Sequence, residues 1–424
     1  MGDKMSRDGT GRSWVALAVL LWGCSEDAPQ DSAEAPASDA VVFYGDLEVT
    51  LDSYCLRCHQ ASGGAPFDLS EYETAKAWAL AMVGAIDGGR MPPPASDPDC
   101  HDYVDSELLV IPEAEKQRIR DWVANDMPAG DPADDLPISN NRYTLPEANL
   151  TVRIAAPYTP TYSDPDSLGN EYRCFTIDHG QDERFYITAL HALIDKHEIS
   201  HHMVMGKVPK DSTDAARGRE PGGFDCSDEA AVATDGGFIH AWAPGQSPLR
   251  FNEGVGLSVS PGESFILQMH YYKGSESSAG LTDQPGYAFV TADTVATPAI
   301  VQTYGPTNFT IPAGDPEFTL TATQPAPQSG KIHAVFPHMH VLGTGYDIAV
   351  GDSCVSSGDY DFDNQMFYYF KEPILVEAGE EMSISCTWNN STSNPNLILN
   401  PPQDIRFGER TDQEMCYAFM MVSL

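Results

Sequence analysis

Cys55-Leu56-Arg57-Cys58-His59 is a Cys-x-x-Cys-His run. Two thiols at this spacing, followed at once by an imidazole, suit covalent attachment of haem. The thiols form thioethers to the vinyl groups and the adjacent His ligates the iron. A zinc or redox Cys pair is the competing reading, and the immediate His and the lack of a second Cys pair count against it. The sixth iron ligand should be a thioether or an imidazole. Met91 in Gly89-Arg90-Met91-Pro92-Pro93-Pro94 is the first choice, because the prolines hold its loop extended, and Met82, Met127 and His101 are its rivals. A Met/His-ligated haem suits one-electron transfer rather than oxygen binding.

A second set of metal-ligating residue types follows. His338 and His340 are two apart in a strand-like stretch, so both imidazoles face one side and can converge on one ion. Imidazole suits copper, zinc and iron alike, and a thioether would select copper. Met415, beside Cys416, could supply it, although most Met side chains simply fill space. His201 and His202 are adjacent, and on a regular strand they would point to opposite faces. They reach one metal only at a bulge or bend. His270, in Leu267-Gln268-Met269-His270-Tyr271, stands alone on its strand, where a satisfied core residue is the bland reading. Apart from His101 as a rival for the haem iron, His101, His179, His191, His197, His240 and His333 receive no ligand role.

The elements that must position these residues fall into two kinds. Residues 41–132 read as small and all-helical. Glu48 to His59 leads into the first motif, Ser70 to Ile86 reads as a helix with a Ser cap, and Pro112 to Asp126 as a helix opened by Pro, with Ile119, Trp122 and Val123 on one face. The turn-rich Met127-Pro128-Ala129-Gly130-Asp131-Pro132 closes the unit. Beyond residue 140 short alternating strands separated by Pro/Gly turns predict β-sandwiches, for example Arg184–Leu190, Ser264–Tyr271, Ala334–His340 and Glu381–Trp388. A softer boundary near 291–300 divides them into 133–292 and 293–424, so the expected class is mainly β, two sandwiches behind a small helical domain.

Taken in order, several segments resemble a known family. They are His201-His202-Met203, Ala241-Trp242-Ala243-Pro244-Gly245, Gly254-Val255-Gly256, Leu267-Gln268-Met269-His270-Tyr271, His338-x-His340-x-Leu342-Gly343 and Glu414-Met415-Cys416. The succession, from about residue 150 to 424, resembles the copper type II, ascorbate-dependent monooxygenases, the family of dopamine β-monooxygenase and peptidylglycine α-hydroxylating monooxygenase. Residues 41–132 resemble a single-haem cytochrome c domain, through the Cys-x-x-Cys-His run, the Arg-Met-Pro-Pro loop and the closing helix.

The resemblance implies two jelly-roll-like sandwiches with one copper each. His201, His202 and His270 would hold an electron-transfer copper; His338, His340 and Met415 would hold the copper that binds O2. It also implies a Cys386–Cys416 disulfide beside the Met ligand and a Cys174–Cys226 disulfide, and leaves Cys100 and Cys354 unassigned. The implied reaction hydroxylates a C–H bond with O2 and needs two further electrons. Ascorbate supplies them elsewhere in the family and stays open here as an external donor, but the fused haem at His59 is the expected immediate source. The substrate pocket departs from the peptide-amidating branch. Where that branch places an Arg two residues before the His-x-His pair stands Phe336, and Tyr417 and Phe419 stand where it uses an Asn and a Tyr. A substrate carboxylate would lose its charge-assisted partner, so an apolar or aromatic substrate is expected.

The chain has 424 residues and a formal net charge of −38, which argues against nucleic acid and against docking on anionic lipid. Lys4, Arg7 and Arg12 precede a short apolar run from Trp14 to Trp22, too short to span a bilayer, which reads as an export signal over residues 1–24. Leu21-Trp22-Gly23-Cys24 resembles a lipobox, which makes Cys24 a lipidation site, with a plain signal peptide as the alternative. The small, polar, acidic stretch 25–40 has the composition of a tether. With Cys24, Cys55 and Cys58 set aside, six of the nine Cys remain, an even number for an oxidising compartment, periplasmic or at the outer membrane. The expected partners are O2, a small substrate and a periplasmic electron donor to the haem, with membrane contact only through the lipid. A non-enzymatic haem- and copper-binding lipoprotein is the competing class. A cupredoxin-like carrier would need a Cys thiolate beside the His ligands.

Overall fold

The structure, a computed structural model, describes residues 40–61, 63–138, 144–163, 169–226, 237–274, 278–408 and 410–424. The expected export segment, Cys24 and the tether as far as residue 39 lie outside the described residues.

The helical part comprises Glu48–Tyr54, Tyr72–Asp87, Ser106–Leu109 and Glu113–Ala124. The second helix starts later than its Ser70 cap suggested. Ser70 directs both its N–H and its hydroxyl to Asp68 Oδ1, which ties its side chain to the preceding turn, and Glu71 occupies the cap position without a side-chain hydrogen bond. Pro112 stands at the N-cap of the last helix, where its missing N–H costs nothing. Ile119 and Trp122 on that helix are buried against Phe43, Leu47 and Leu51. Each large apolar side chain buried in this way contributes about 1.5–3 kcal/mol. The Trp122 indole N–H donates to Pro128 O at 3.0 Å, which anchors the turn-rich segment that closes the unit.

The rest is β structure. The largest sheet runs Leu150–Arg153, Gly286–Ala292, Phe185–Leu193, Val255–Val259, Thr297–Tyr304, Tyr417–Ser423, Gly330–His338, Tyr368–Val376. Along that path only Val255–Val259 and Thr297–Tyr304 pair parallel. A five-stranded sheet carries Asn170–Ile177, Glu263–Tyr272, Ser200–Pro209 and Phe238–Trp242, with Phe224–Asp225 at its edge. A four-stranded sheet runs Phe318–Pro325, Glu381–Trp388, Gly343–Val350, Ser353–Asp359. One core lies between the five-stranded sheet and the first half of the large sheet. A second core involves the four-stranded sheet and the other half. The chain thus builds two sandwiches on one continuous sheet, and residues 291–300 fall within it, where Gly286–Ala292 gives way to Thr297–Tyr304.

Residues 95–109 leave the helical part and join the second sandwich. Tyr103 and Leu109 belong to its core, Tyr103 bridges to Phe370, and Ser96 Oγ bonds Ser356 Oγ at 2.8 Å. The Cys100–Cys354 disulfide locks the attachment. It closes a loop spanning 254 positions, worth about 5 kcal/mol on the chain-entropy account. Cys174–Cys226 and Cys386–Cys416 are also bonded. Three disulfides fit a protein of an oxidising compartment. Among the described residues no helix is long and apolar enough to cross a membrane.

Candidate metal centres

His202 on the Ser200–Pro209 strand lies directly opposite His270 on the Glu263–Tyr272 strand. Between Ser200 and His202 the register slips, and this bulge turns adjacent His201 to the same side as its neighbour. The three imidazoles meet through one type of nitrogen. His201 Nδ1 lies 3.2 Å from His202 Nδ1, and His270 Nδ1 lies 3.3 Å from the same atom. Imidazoles bound at about 2 Å in a tetrahedral arrangement place their nitrogens about 3.3 Å apart, so the observed spacing is that of ligands sharing one ion. Among the described residues this is the one group of three or more His, Cys, Asp or Glu ligand atoms drawn together so closely, all within 4.8 Å of one another.

The far sides of the rings are tied off. His270 Nε2 donates to Asn170 Oδ1 at 2.7 Å, and His201 Nε2 donates to Asp363 Oδ1 at 2.8 Å. Each bond puts the ring proton on Nε2 and leaves Nδ1 as a lone-pair donor toward the centre. Tyr172 stacks on His270, with ring centroids 4.2 Å apart at 11°. Burial, reinforced by the neighbouring imidazoles, holds His202 and His270 well below the ordinary histidine range, which keeps them neutral.

His338 and His340 form the second group, with ring centroids 5.2 Å apart at 82°. Their anchoring is reversed. His338 Nδ1 bonds Gln365 Oε1 at 2.6 Å and His340 Nδ1 bonds the Gln413 carbonyl at 3.0 Å, which leaves Nε2 of each as the free donor. Burial pushes His338 down to about 3 and His340 down to about 4. The strand expected to reach His340 stops at His338, because side chains replace the next ladder bonds. Met339 N–H donates to Tyr360 Oη at 3.0 Å, and Glu414 accepts the N–H groups of His340 at 2.9 Å and Leu342 at 2.7 Å.

Met415 is buried two residues before Tyr417, the register partner of His338. It therefore belongs to the same end of this strand pair as His340, and the Cys386–Cys416 bond pins the next residue. Glu414, named from sequence only within the Glu414-Met415-Cys416 segment, is fully buried and also accepts the Trp388 indole N–H at 3.0 Å. Burial pushes its carboxyl up to about 7 in spite of these donors. Gln365, Asn170 and Asp363 were unmarked, since single polar residues on loops and strands carry no spacing signal. Phe336 and Phe419 lie in an aromatic cluster with Phe238 and Phe367, and both rings flank His338. Tyr417 meets Phe419 edge-on.

The Cys-x-x-Cys-His run forms a turn at the end of the Glu48–Tyr54 helix, with His59 N–H donating to Cys55 O at 2.9 Å. It borders a cavity of about 560 Å3, also lined by Phe67, Trp78 and Met91. His59 Nδ1 bonds Phe67 O at 3.3 Å, leaving Nε2 free to ligate. Cys55 and Cys58 are unbonded, and burial pushes the Cys55 thiol up to about 12, unlike a reactive redox pair. The size, the apolar walls and the His donor fit a haem. Met82 lines the same cavity from its helix, whereas His101 lies against Phe370 on the second sandwich and Met127 gives its carbonyl to Tyr72 Oη. The cavity wall also includes His201, Asp363 and Asn364 from the β part. Gly245 has φ +84°, and a Cβ there would run into Cys58 Sγ, so glycine permits this close approach of the two parts.

No family model matches the chain. It is similar to DBH-like monooxygenase protein 1 of Homo sapiens, 25% identical over 312 residues, which cover 66% of this chain and 49% of that protein. The chain thus spans about half the length of that relative. Among solved structures, a structure of infectious bursal disease virus Gx strain aligns at 12% identity over 66% of this chain and 75% of that chain, with a TM-score of 0.16. A VP2 subviral particle of the same virus aligns at 12% identity over 66% and 80%, with a TM-score of 0.11, values too low to identify a shared fold.

Proposed function

We propose that this chain is an exported copper-dependent monooxygenase that hydroxylates a C–H bond of a small apolar or aromatic substrate with O2 and draws its electrons through a covalently attached haem. The observation that carries the reading is a shared wall. His201, one of the three clustered imidazoles, and its partner Asp363 line the cavity bordered by Cys55, Cys58, His59 and Met91. The similarity to a DBH-like monooxygenase supports the oxygenase class.

In this reading His201, His202 and His270 hold one copper, His338, His340 and Met415 hold the other, and Cys55, Cys58 and His59 hold the haem, with Met91 as sixth ligand. Bound there, the haem and the first copper supply electrons singly, and the second copper supplies the chemistry that activates O2. The chain's own residues set the conditions. Asn170 and Asp363 fix the Nδ1 lone pairs of the first cluster, and Gln365 and the Gln413 carbonyl fix the Nε2 lone pairs of the second. Three protein ligands at the second site leave a position open. Phe336 and Phe419 beside His338 offer no partner to a carboxylate, so strong turnover of glycine-extended peptides would contradict the substrate class. The three disulfides accord with an extracytoplasmic site of action, with Cys24 as the lipid anchor and a periplasmic protein as donor to the haem.

The test is oxygen uptake by the copper-loaded, reduced protein against a panel of small aromatic and apolar compounds. Substrate-stimulated uptake should appear, and should vanish in His340→Ala and Met415→Ala. Uptake that no compound stimulates would instead favour an electron carrier.

A further inference from the structure

Residues 362–366 connect the Ser353–Asp359 and Tyr368–Val376 strands, and no motif marks them. Their contacts reach every candidate centre. The Phe362 ring lies 6.0 Å from that of His201, 6.4 Å from His202 and 6.3 Å from His340, so it stands between the two His groups. Asp363 accepts from His201 Nε2 and lines the haem-sized cavity. Asn364 lines that cavity too, and its side-chain amide donates to Pro94 O at 2.8 Å, in the proline run that carries Met91. Gln365 bonds His338 through Oε1 and donates through Nε2 to the Phe362 carbonyl at 2.9 Å, tying the two ends of the segment together. Met366 Sδ meets the guanidinium of Arg57, inside the Cys-x-x-Cys-His run, at 3.8 Å.

Stability alone does not account for Asp363. Its side chain is 75% exposed, and an exposed carboxylate contact of this kind contributes little to folding. What the carboxylate does hold is the ring orientation of a clustered imidazole at the edge of a cavity. Phe362 and Gln365 extend the same backbone to the other His pair.

We propose that 362–366 is the positioning element that couples the three centres, with Asp363 as the residue that joins the haem cavity to the first His cluster. The proposal rests on the haem and copper reading above. In the transfer so positioned, one ferrous haem becomes ferric and one cupric ion becomes cuprous. His201 Nε2 stays the donor and Asp363 the acceptor, so no proton moves.

The experiment uses the full haem- and copper-loaded chain. The haem of the fully oxidised protein is photoreduced by one electron, its reoxidation is followed optically, and the copper signals are recorded by electron paramagnetic resonance. If the wild-type haem is not reoxidised by copper, the underlying reading fails and the proposal with it. If it is, Asp363→Leu, which removes the acceptor, should slow reoxidation about ten- to a hundredfold with both coppers bound. Asp363→Glu, which keeps the acceptor, should recover part of the rate. Gln365→Leu should alter the signal of the second copper. A wild-type rate in Asp363→Leu, a slow rate traced to loss of the first copper, or an unchanged second-site signal in Gln365→Leu overturns the proposal.

Discussion

The two His groups use the same side chain in opposite orientations. The first converges through Nδ1, with Nε2 of His201 and His270 tied outward to Asp363 and Asn170. The second is tied through Nδ1 to Gln365 and the Gln413 carbonyl, and offers Nε2. Nδ1 sits next to the ring's attachment point, so an ion held there lies close to the strand backbone and moves little. Nε2 is at the ring's far edge, so an ion held there stands further out, where a third ligand from another strand and an outside molecule can reach it. The first arrangement suits electron exchange at fixed geometry, and the second suits chemistry on something that enters and leaves.

Removing ligands should break this comparison most sharply. His270→Ala should lower bound copper from two per chain to one and stop haem reoxidation. Met415→Ala should leave that first electron transfer intact and lower substrate turnover by more than about a hundredfold, beyond what loss of an outer partner costs. Equal loss of both activities in both variants would erase the distinction between the sites.

Glu414 is the next largest. It accepts from His340 N–H, Leu342 N–H, Met415 N–H and the Trp388 indole, all buried, so Glu414→Ala orphans four donors at once. Denaturant unfolding of the copper-free protein should show a loss of about 3 kcal/mol or more. The first cluster should still take up its copper. A loss under about 1 kcal/mol would mean that water replaces the carboxylate and that the strand end at His340 needs no such clamp.

A smaller effect is expected on the other side. Asn170→Ala leaves His270 in place and removes the acceptor of its Nε2–H. Copper affinity of the first cluster should fall about ten- to a hundredfold, measured by competition with a chelator, with the second site unaffected. An unchanged affinity would show that the strand pairing of His202 with His270 alone fixes the ring.

These partners mark where the sequence stopped being legible. Alternating strands, the closing helix through Ile119 and Trp122, and the need for a bulge at His201-His202 follow from period, caps and pleat geometry. The ordered motifs also indicated which histidines to group. What stayed hidden depends on neighbours far along the chain. Asp363 lies 162 residues from His201, and Asn170 lies 100 residues from His270. The single sheet shared by both sandwiches was hidden because strand order is set by pairing across the whole chain. Residues 95–109 read as part of a helical domain, yet their aromatic and apolar side chains find a larger core on the second sandwich. Ser70 had the sequence of a cap, but its side chain is tied back to Asp68.

The smallest effect separates ligand histidines from a histidine that received no such role. His240 is buried, stacked on Phe367 at 5.3 Å, bonded through Nδ1 to Tyr287 Oη at 3.0 Å, and has no partner for Nε2 among the described residues. Burial pushes it down to about 3, against an ordinary value of 6.5. Between those values the unfolded chain binds a proton that the folded chain refuses, so stability falls as pH drops from about 6.5 toward about 3. Copper held by the two His groups would keep them unprotonated in the fold, so their share of this acid slope would extend to lower pH. The share of His240 should persist in the copper-loaded protein. His240→Leu should therefore reduce the slope of stability against pH in the copper-loaded and copper-free forms alike, even though loss of the Tyr287 partner costs about 1–3 kcal/mol at every pH. If the slope of the loaded protein is the same with and without His240, this imidazole already carries its proton in the fold, and the contrast between buried ligands and a buried bystander fails.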